Sequence, residues 1–219
     1  GGTATAGKGA GGAVFSRNGS TTLTHVTMSG NTSSDDLGNG LDVIKDGANS
    51  SLTMHNTIIA GAGTNDASVD AGVTQSNTGN LIVHNSGTNP VNDAGLITTD
   101  PGLGSLQDNG GPTPTMAITN TSSAFDKGDS ANSLAADQRG TVRPQGTGPD
   151  IGAFELVVPP PHRTISAAND PNADNVNDDS VPDTFFLKLN SQTGKVDIFI
   201  NGNTPNDLFD SVTTNTFLT

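Results

Sequence analysis

The feature that most constrains this chain is a strand-and-turn phrase that it uses twice. Ser20-Thr21-Thr22-Leu23-Thr24-His25-Val26-Thr27-Met28-Ser29-Gly30-Asn31 returns as Ser50-Ser51-Leu52-Thr53-Met54-His55-Asn56-Thr57-Ile58-Ile59-Ala60-Gly61. In each copy apolar and β-branched residues alternate with small polar ones, and the run ends at a glycine. That is the pattern of a short strand closed by a turn. Recurrence at about 30 residues predicts stacked units of one solenoid rather than a single globular sheet.

The units around the phrase repeat as well. Ala13-Val14-Phe15 turns through Arg17-Asn18-Gly19 into the first copy, and Gly40-Leu41-Asp42-Val43-Ile44 turns through Asp46-Gly47 into the second. A third unit starts at Val69-Asp70-Ala71-Gly72-Val73. It reaches Leu81-Ile82-Val83-His84-Asn85, which matches Leu52-Thr53-Met54-His55-Asn56 at an offset of 29. The loops are too short for crossover helices, so the expectation is a parallel coil of about three rungs, spaced ~4.8 Å apart. Leu134–Asp137 reads at most as one helical turn.

A coil of this kind suits a chain poor in large apolar residues. Only 31% is hydrophobic and 4% aromatic, with no Trp, Tyr or Cys. A compact globule of that composition would struggle to offset its ordering entropy. A solenoid core is a thin column that small and medium side chains can fill. Disorder is disfavoured by a charged fraction of only 14% and by the repeated strand pattern. The net charge of −13 argues against nucleic acid or an anionic membrane as partner. No apolar run is long enough to span a bilayer, and without Cys there is no disulfide or thiol chemistry. The start at Gly1-Gly2-Thr3 reads as an excerpt of a longer protein.

The second half of the first module carries a more specific signature. Thr78-Gly79-Asn80-Leu81-Ile82 is followed by Thr99-Asp100-Pro101-Gly102-Leu103-Gly104 and by Leu106-Gln107-Asp108-Asn109-Gly110-Gly111-Pro112-Thr113-Pro114-Thr115. Then come Ser123-Ala124-Phe125-Asp126-Lys127-Gly128-Asp129, Asp137-Gln138-Arg139-Gly140, Arg143-Pro144 and Pro149-Asp150-Ile151-Gly152-Ala153-Phe154-Glu155. Over roughly residues 11–156 this order resembles the C-terminal end of bacterial right-handed parallel β-helix surface proteins, the choice-of-anchor Q type. The resemblance implies an extracellular or cell-surface solenoid. It implies no established catalytic activity and brings no active-site residues with it. In that family the block usually lies near a sorting signal or the chain end, whereas here Val157-Val158-Pro159-Pro160-Pro161 leads into further sequence.

The block also has a physical reading of its own. Asp108-Asn109-Gly110-Gly111 and the prolines nearby make a rigid, irregular loop. An open solenoid exposes a strand edge, and a loop-rich segment folded over the last rung would cover it. Arg139 and Arg143 sit among Asp126, Asp129, Asp137, Asp150 and Glu155. They are expected to form bidentate bridges within this cap; the alternative is an anion or sugar-acid site.

The fold class that follows is all-β. Residues 1–156 are the end of a right-handed parallel β-helix, about three rungs plus a loop-rich C-terminal cap. Residues 157–183 are a Pro-rich and Asp/Asn-rich linker, and 184–219 begin a partial antiparallel β module expected to continue beyond Thr219. In that module Phe185–Leu189 and Val196–Ile200 read as a hairpin. Pairing Asn190 with Lys195 sets Lys188 opposite Asp197 and Phe186 opposite Phe199. Leu208–Leu218 is a candidate further strand.

Candidate chemistry is sparse. In the linker, Asp170, Asn172, Asp174 and Asp178 follow the spacing of a calcium loop, without the turn glycine and terminal Glu of an EF-hand; the alternative is a solvated acidic spacer. His55 and His84 fall one rung apart in the offset of 29, with His25 out of register by one. Stacked imidazoles there would share a metal or simply lie on the surface. Asp42 with Asp46, Asp66 with Asp70, and Arg17 are the residues a polysaccharide lyase or hydrolase would use. Three readings follow: a structural or adhesive segment, which is preferred; a carbohydrate-binding module; and, third, a polysaccharide-degrading enzyme. The partners these imply are glycans or other surface proteins.

Overall fold

The computed structural model of the protein describes residues 9–34, 38–61, 63–86 and 89–158, together with the backbone of three strands between Phe185 and Thr213. It is built of two compact units, Gly1–Val158 and Pro159–Thr219.

The first unit opens with nine short strands. They are β1 (Val14–Arg17), β2 (Gly19–Thr24), β3 (Thr27–Ser29), β4 (Leu41–Ile44), β5 (Ser50–His55), β6 (Ile58–Ala60), β7 (Ala67–Val69), β8 (Thr74–Thr78) and β9 (Leu81–Ile82). They pair in three parallel sheets, ordered β1-β4-β7, β2-β5-β8 and β3-β6-β9. The chain visits the three sheets in the same order three times, so every sheet receives one strand per coil. The expectation of an all-β parallel coil is met.

The register differs from the expected one in the third coil. Ser20 lies beside Ser51, 31 residues on, but Ser51 lies beside Thr74, only 23 residues on. His55 therefore pairs with Thr78, and Leu81 pairs with Ile58 in a different sheet. The likeness of Leu81–Asn85 to Leu52–Asn56 is a likeness of letters, not of position. Ladder register follows the inward columns, here Met28-Ile59-Ile82, and the corners where the chain leaves one sheet for the next.

Those corners explain the coil. Between the second and third strands of each coil stand only two residues: His25-Val26, Asn56-Thr57 and Gly79-Asn80. The first of each pair has a left-handed backbone, with φ of 53°, 51° and 67°. Such a residue bends the chain sharply without a long loop, and Asn and Gly adopt it most readily.

The interior is a column of medium side chains. Leu41, Val43, Leu52, Met54, Ile59, Val69 and Ile82 are almost fully buried and in mutual contact. In the third coil the column changes character. Gln75 and Asn77 occupy the places of Leu52 and Met54. The Asn77 Nδ2 donates to Gln75 Oε1 (2.9 Å) and to the Asn92 carbonyl (3.0 Å), and the Asn92 N–H donates to Gln75 Oε1 (2.9 Å). The segment 89–97 thus closes the end of the coil. Val91 and Leu96 pack on the apolar column, and Ile97 adds a parallel bridge beside Leu81. The buried Asn80 pins this segment, donating from both its backbone N–H and its Nδ2 to Asp93 Oδ2.

The loop-rich block is therefore not a lid on the last rung. After an antiparallel pair, β10 (Leu106–Gln107) with β11 (Thr115–Met116), it runs back along the side of the coil. Ile118, Ala124, Ile151 and Phe154 form a second apolar cluster on Ile58 and Leu81, which face outward from the third sheet. The Ala153 N–H donates to Thr27 Oγ1 in the first coil (2.9 Å). The expected turn at Leu134–Asp137 is instead a 3-10 turn at Ser130–Asn132, capped by the Asp129 side chain.

In the second unit β12 (Phe185–Asn190), β13 (Lys195–Ile200) and β14 (Leu208–Thr213) form an antiparallel sheet in sequence order. The β12–β13 register places Asn190 opposite Lys195, Lys188 opposite Asp197 and Phe186 opposite Phe199, as the alternation predicts.

Candidate functional site

The second sheet carries the most regular exposed surface in the described part of the chain. Its strands alternate, and the residues turned away from the column fall in three rows: Ser20-Ser51-Thr74, Thr22-Thr53-Ser76 and Thr24-His55-Thr78. Eight of these nine positions are Ser or Thr, although Ser and Thr together make up only 48 of the 219 residues. None is charged. Rows across the strands repeat at about 4.8 Å and positions along a strand at about 6.6 Å, so the face is a small lattice of hydroxyl and methyl groups. Within it Ser51 Oγ donates to Ser20 Oγ (3.0 Å), and His55 Nδ1 lies 2.8 Å from Thr78 Oγ1.

One border of this face is the seam with the lateral block, where the corner residues do the holding. Asn56 Oδ1 accepts from the Asp129 N–H (2.6 Å), and Asn56 Nδ2 donates to the Asp129 carbonyl (3.0 Å). The Gly152 N–H donates to the Asn56 carbonyl (2.8 Å). His25, 6% exposed, has Nδ1 3.2 Å from the Gly152 carbonyl and Nε2 3.0 Å from Ser133 Oγ. Burial, with the nearby Arg143 charge adding to it, lowers the His25 pKa to about 4; hydrogen bonds to Gly152 and Asp150 oppose this. Asp129 is held below the usual carboxylate range by bonds from Asn132, Thr78 and the Ala131 N–H.

Behind the seam lies the charge network that the sequence places in this block. The Arg143 side chain is fully buried, and its NH1 donates to Glu155 Oε2 (2.6 Å) and the Asp150 carbonyl (2.9 Å). Its NH2 donates to the Gly152 carbonyl (2.7 Å). Arg139 Nε donates to Asp137 Oδ2 (2.9 Å), which also lies within ion-pair distance of NH2 (2.8 Å). NH2 donates to the Glu155 carbonyl and NH1 to the Asn109 carbonyl (3.3 Å), and the guanidinium lies 3.6 Å above the Phe154 ring. The charge partnership is as expected, but the bridges are not bidentate forks. Each guanidinium divides its donors between one carboxylate oxygen and backbone carbonyls, because the irregular chain leaves carbonyls that need donors. An anion would have to displace these buried contacts, so the geometry favours the internal role over the anion or sugar-acid site. Burial pushes Asp137 up, but bonds from the Glu155 N–H, the Arg139 side chain and the Thr141 N–H outweigh it and leave the group low. Burial pushes Asp150 up to about 6, against bonds from the Leu156 and Asp126 N–H groups.

The remaining sequence candidates separate. Asp170, Asn172, Asp174 and Asp178 lie outside the described residues. His55 and His84 are not stacked: His55 faces outward on the second sheet, whereas His84 follows β9 and its Nδ1 lies 3.1 Å from Asp66 Oδ2. The shared-metal expectation rested on the offset of 29 and falls with it. Among the described residues no group of three or more His, Asp or Glu is placed to hold a metal ion. Asp42 and Asp66 are buried, Asp46 is paired with Arg17, and Asp70 Oδ2 accepts from the Lys45 N–H (3.1 Å). The hydroxyl rows were hidden because β8, Thr-Gln-Ser-Asn-Thr, has no apolar residue to mark its inward side.

Comparison with family models, with curated proteins and with solved structures finds no match.

Proposed function

We propose that the chain is a non-catalytic structural or adhesive segment of a bacterial secreted or cell-surface protein. In this reading its coil is a right-handed parallel β-helix and its second sheet is the contact surface. The observation that carries the reading is the uncharged hydroxyl lattice on β2-β5-β8. It offers many donors and acceptors at regular spacing and costs little desolvation of charge on contact. A neutral, hydroxyl-rich partner such as a glycan chain or a carbohydrate-coated surface matches it. The lateral block favours the structural part of this reading, since it ties the first, second and third coils together through Thr27, Asn56 and Thr78. Calcium at Asp170, Asn172, Asp174 and Asp178 belongs to the same reading, and a melting temperature unmoved by added calcium would remove it.

Glycan-array and whole-cell adhesion assays test the function. Thr53→Lys and Ser76→Lys place charges in the middle of the lattice without touching the column. They are expected to abolish retention while leaving the melting temperature nearly unchanged. Retention that survives both substitutions would move the contact surface elsewhere. Release of products from pectin or alginate would replace the reading with an enzymatic one.

A further inference from the structure

The cover over the third sheet stops short of its strand ends. A pocket of about 280 Å³ opens there, lined by Ser29, Ala60 and Val83 at equivalent positions of three coils, by His84, and by Asp100 and Leu103 of the overlying loop. The loop is pinned from behind: Ser122 Oγ donates to the Pro101 carbonyl (2.6 Å) and Ser123 Oγ to the Thr99 carbonyl (3.0 Å).

The imidazole is oriented too. Asp66, whose side chain is fully buried, accepts from the Gly61 N–H at Oδ1 (2.8 Å) and from the His84 N–H at Oδ2 (2.9 Å). The same Oδ2 faces His84 Nδ1, so Nδ1 carries the hydrogen and Nε2 is the nitrogen left for a ligand. Asp100 Oδ1 accepts from the Gly102 N–H (2.9 Å), while Oδ2 and the Ser29 hydroxyl have no partner among the described residues. Ser29 is no nucleophile for this histidine. It stands two coils from Val83, roughly 10 Å away, beyond the reach of proton transfer.

The pocket is therefore rich in acceptors, lined by no Lys or Arg, and set in a chain of net charge −13. Its acceptors are spread over more than one rung, which suits a ring bearing several donors better than a point cation. Its volume lies at the small end for ligand sites, and Ala60, Val83 and Leu103 give an aliphatic wall for C–H groups. We propose that this pocket binds a single amino-sugar residue, its ammonium on the Asp100 carboxylate and its hydroxyls on His84 and Ser29. The site lies on a different sheet from the hydroxyl lattice and holds or fails independently of it.

The test is titration of the full chain with glucosamine, followed by amide chemical shifts. Shifts at Val83, His84 and Asp100 are expected. Glucose and N-acetylglucosamine, which lack the ammonium, should bind about tenfold more weakly, the worth of one charge-assisted bond. Asp100→Asn keeps the Gly102 contact and should cost a similar factor, and Ala60→Leu, which fills the pocket, should abolish binding. High salt should weaken binding. Equal binding of glucose and glucosamine would overturn the ammonium assignment. Equal binding of a simple alkylamine would overturn the sugar. No shift in the pocket, with both variants folded, would overturn the site.

Discussion

His25 and Asn56 occupy the same corner of successive coils, and Asn56 Nδ2 lies 3.1 Å from His25 Nε2. The orientation of the Asn56 amide is set by the Asp129 N–H, which needs the oxygen, so Nδ2 is the donor and Nε2 the acceptor. Nδ1 then carries the hydrogen and donates to the Gly152 carbonyl. A second proton on this ring would point at an N–H donor, close to Arg143. The corner that turns the chain thus also fixes the charge state of the seam.

That arrangement sets a pH dependence. The folded pKa of His25, about 4, lies below its ordinary 6.5. Its contribution is whole above 6.5 and is lost as pH falls towards 4, by roughly 3 kcal/mol in all. Asp150 acts in the opposite sense. Its folded pKa, about 6, lies above the ordinary 3.8, so its contribution is greatest in acid and is lost as pH rises through that window, by a similar amount. The two nearly cancel between pH 4 and 6. In His25→Asn only the Asp150 effect remains, so this variant should gain stability from pH 7 to pH 4.5 while the parent stays level. Urea midpoints at the two pH values measure this, and parallel behaviour of the two proteins would contradict it.

The buried Arg143–Glu155 pair should be costly to break. Both side chains are at most 1% exposed. Glu155 also accepts from the Asp150 N–H (2.8 Å) and the Gln145 N–H (2.8 Å). Arg143→Met leaves a buried carboxylate without its cation and should destabilise the first unit by about 3–5 kcal/mol. A loss below about 1 kcal/mol in denaturant unfolding would mean that backbone donors alone neutralise Glu155.

Gly152 separates strain from packing. Its φ is 96°, and a Cβ there would lie 2.6 Å from Thr27 Oγ1 and 2.7 Å from Ile58 Cδ1. Gly110 has a similar φ of 88° but nothing within 4 Å. Gly110→Ala should cost about 1 kcal/mol, from backbone strain alone. Gly152→Ala should cost about 1–3 kcal/mol more, because the block must move off the third sheet. Equal melting temperatures for the two variants would show that the seam yields freely.

What the sequence showed and what it hid divide along one line. The β12–β13 register was legible because a period of two and a short connection leave one pairing that sets Lys188 opposite Asp197 and Phe186 opposite Phe199. The first two coils were legible for the same reason, helped by their Asn-Gly and Asp-Gly turns. The third was not, because Gln75 and Asn77 replace the apolar residues that mark an inward face, and their partner Asn92 lies on another segment. Arg143 with Glu155 could be expected in a chain with so few cations. That Gly152 docks on Thr27, 125 positions earlier, leaves no local signal beyond the glycine itself.

Asn80 tests the closure of the coil. It is fully buried, its Oδ1 accepts from the Thr57 N–H (2.9 Å), and its Nδ2 donates to the Met54 carbonyl (2.7 Å) and to Asp93 Oδ2 (2.8 Å). Asn80→Ala removes the bolt and strands these partners, a loss of about 2–4 kcal/mol. Asn80→Asp keeps the shape but exchanges the donor for an acceptor, facing a carbonyl and a carboxylate. It should therefore cost more than the alanine at neutral pH, although its side chain is nearly isosteric. In acid a proton on the new carboxyl restores one donor, so the aspartate variant should recover part of its loss while the alanine variant, relative to the parent, should not. Denaturant unfolding of the three proteins at neutral and acid pH measures both differences. If aspartate were the milder change at neutral pH, Nδ2 would not be the group that closes the coil.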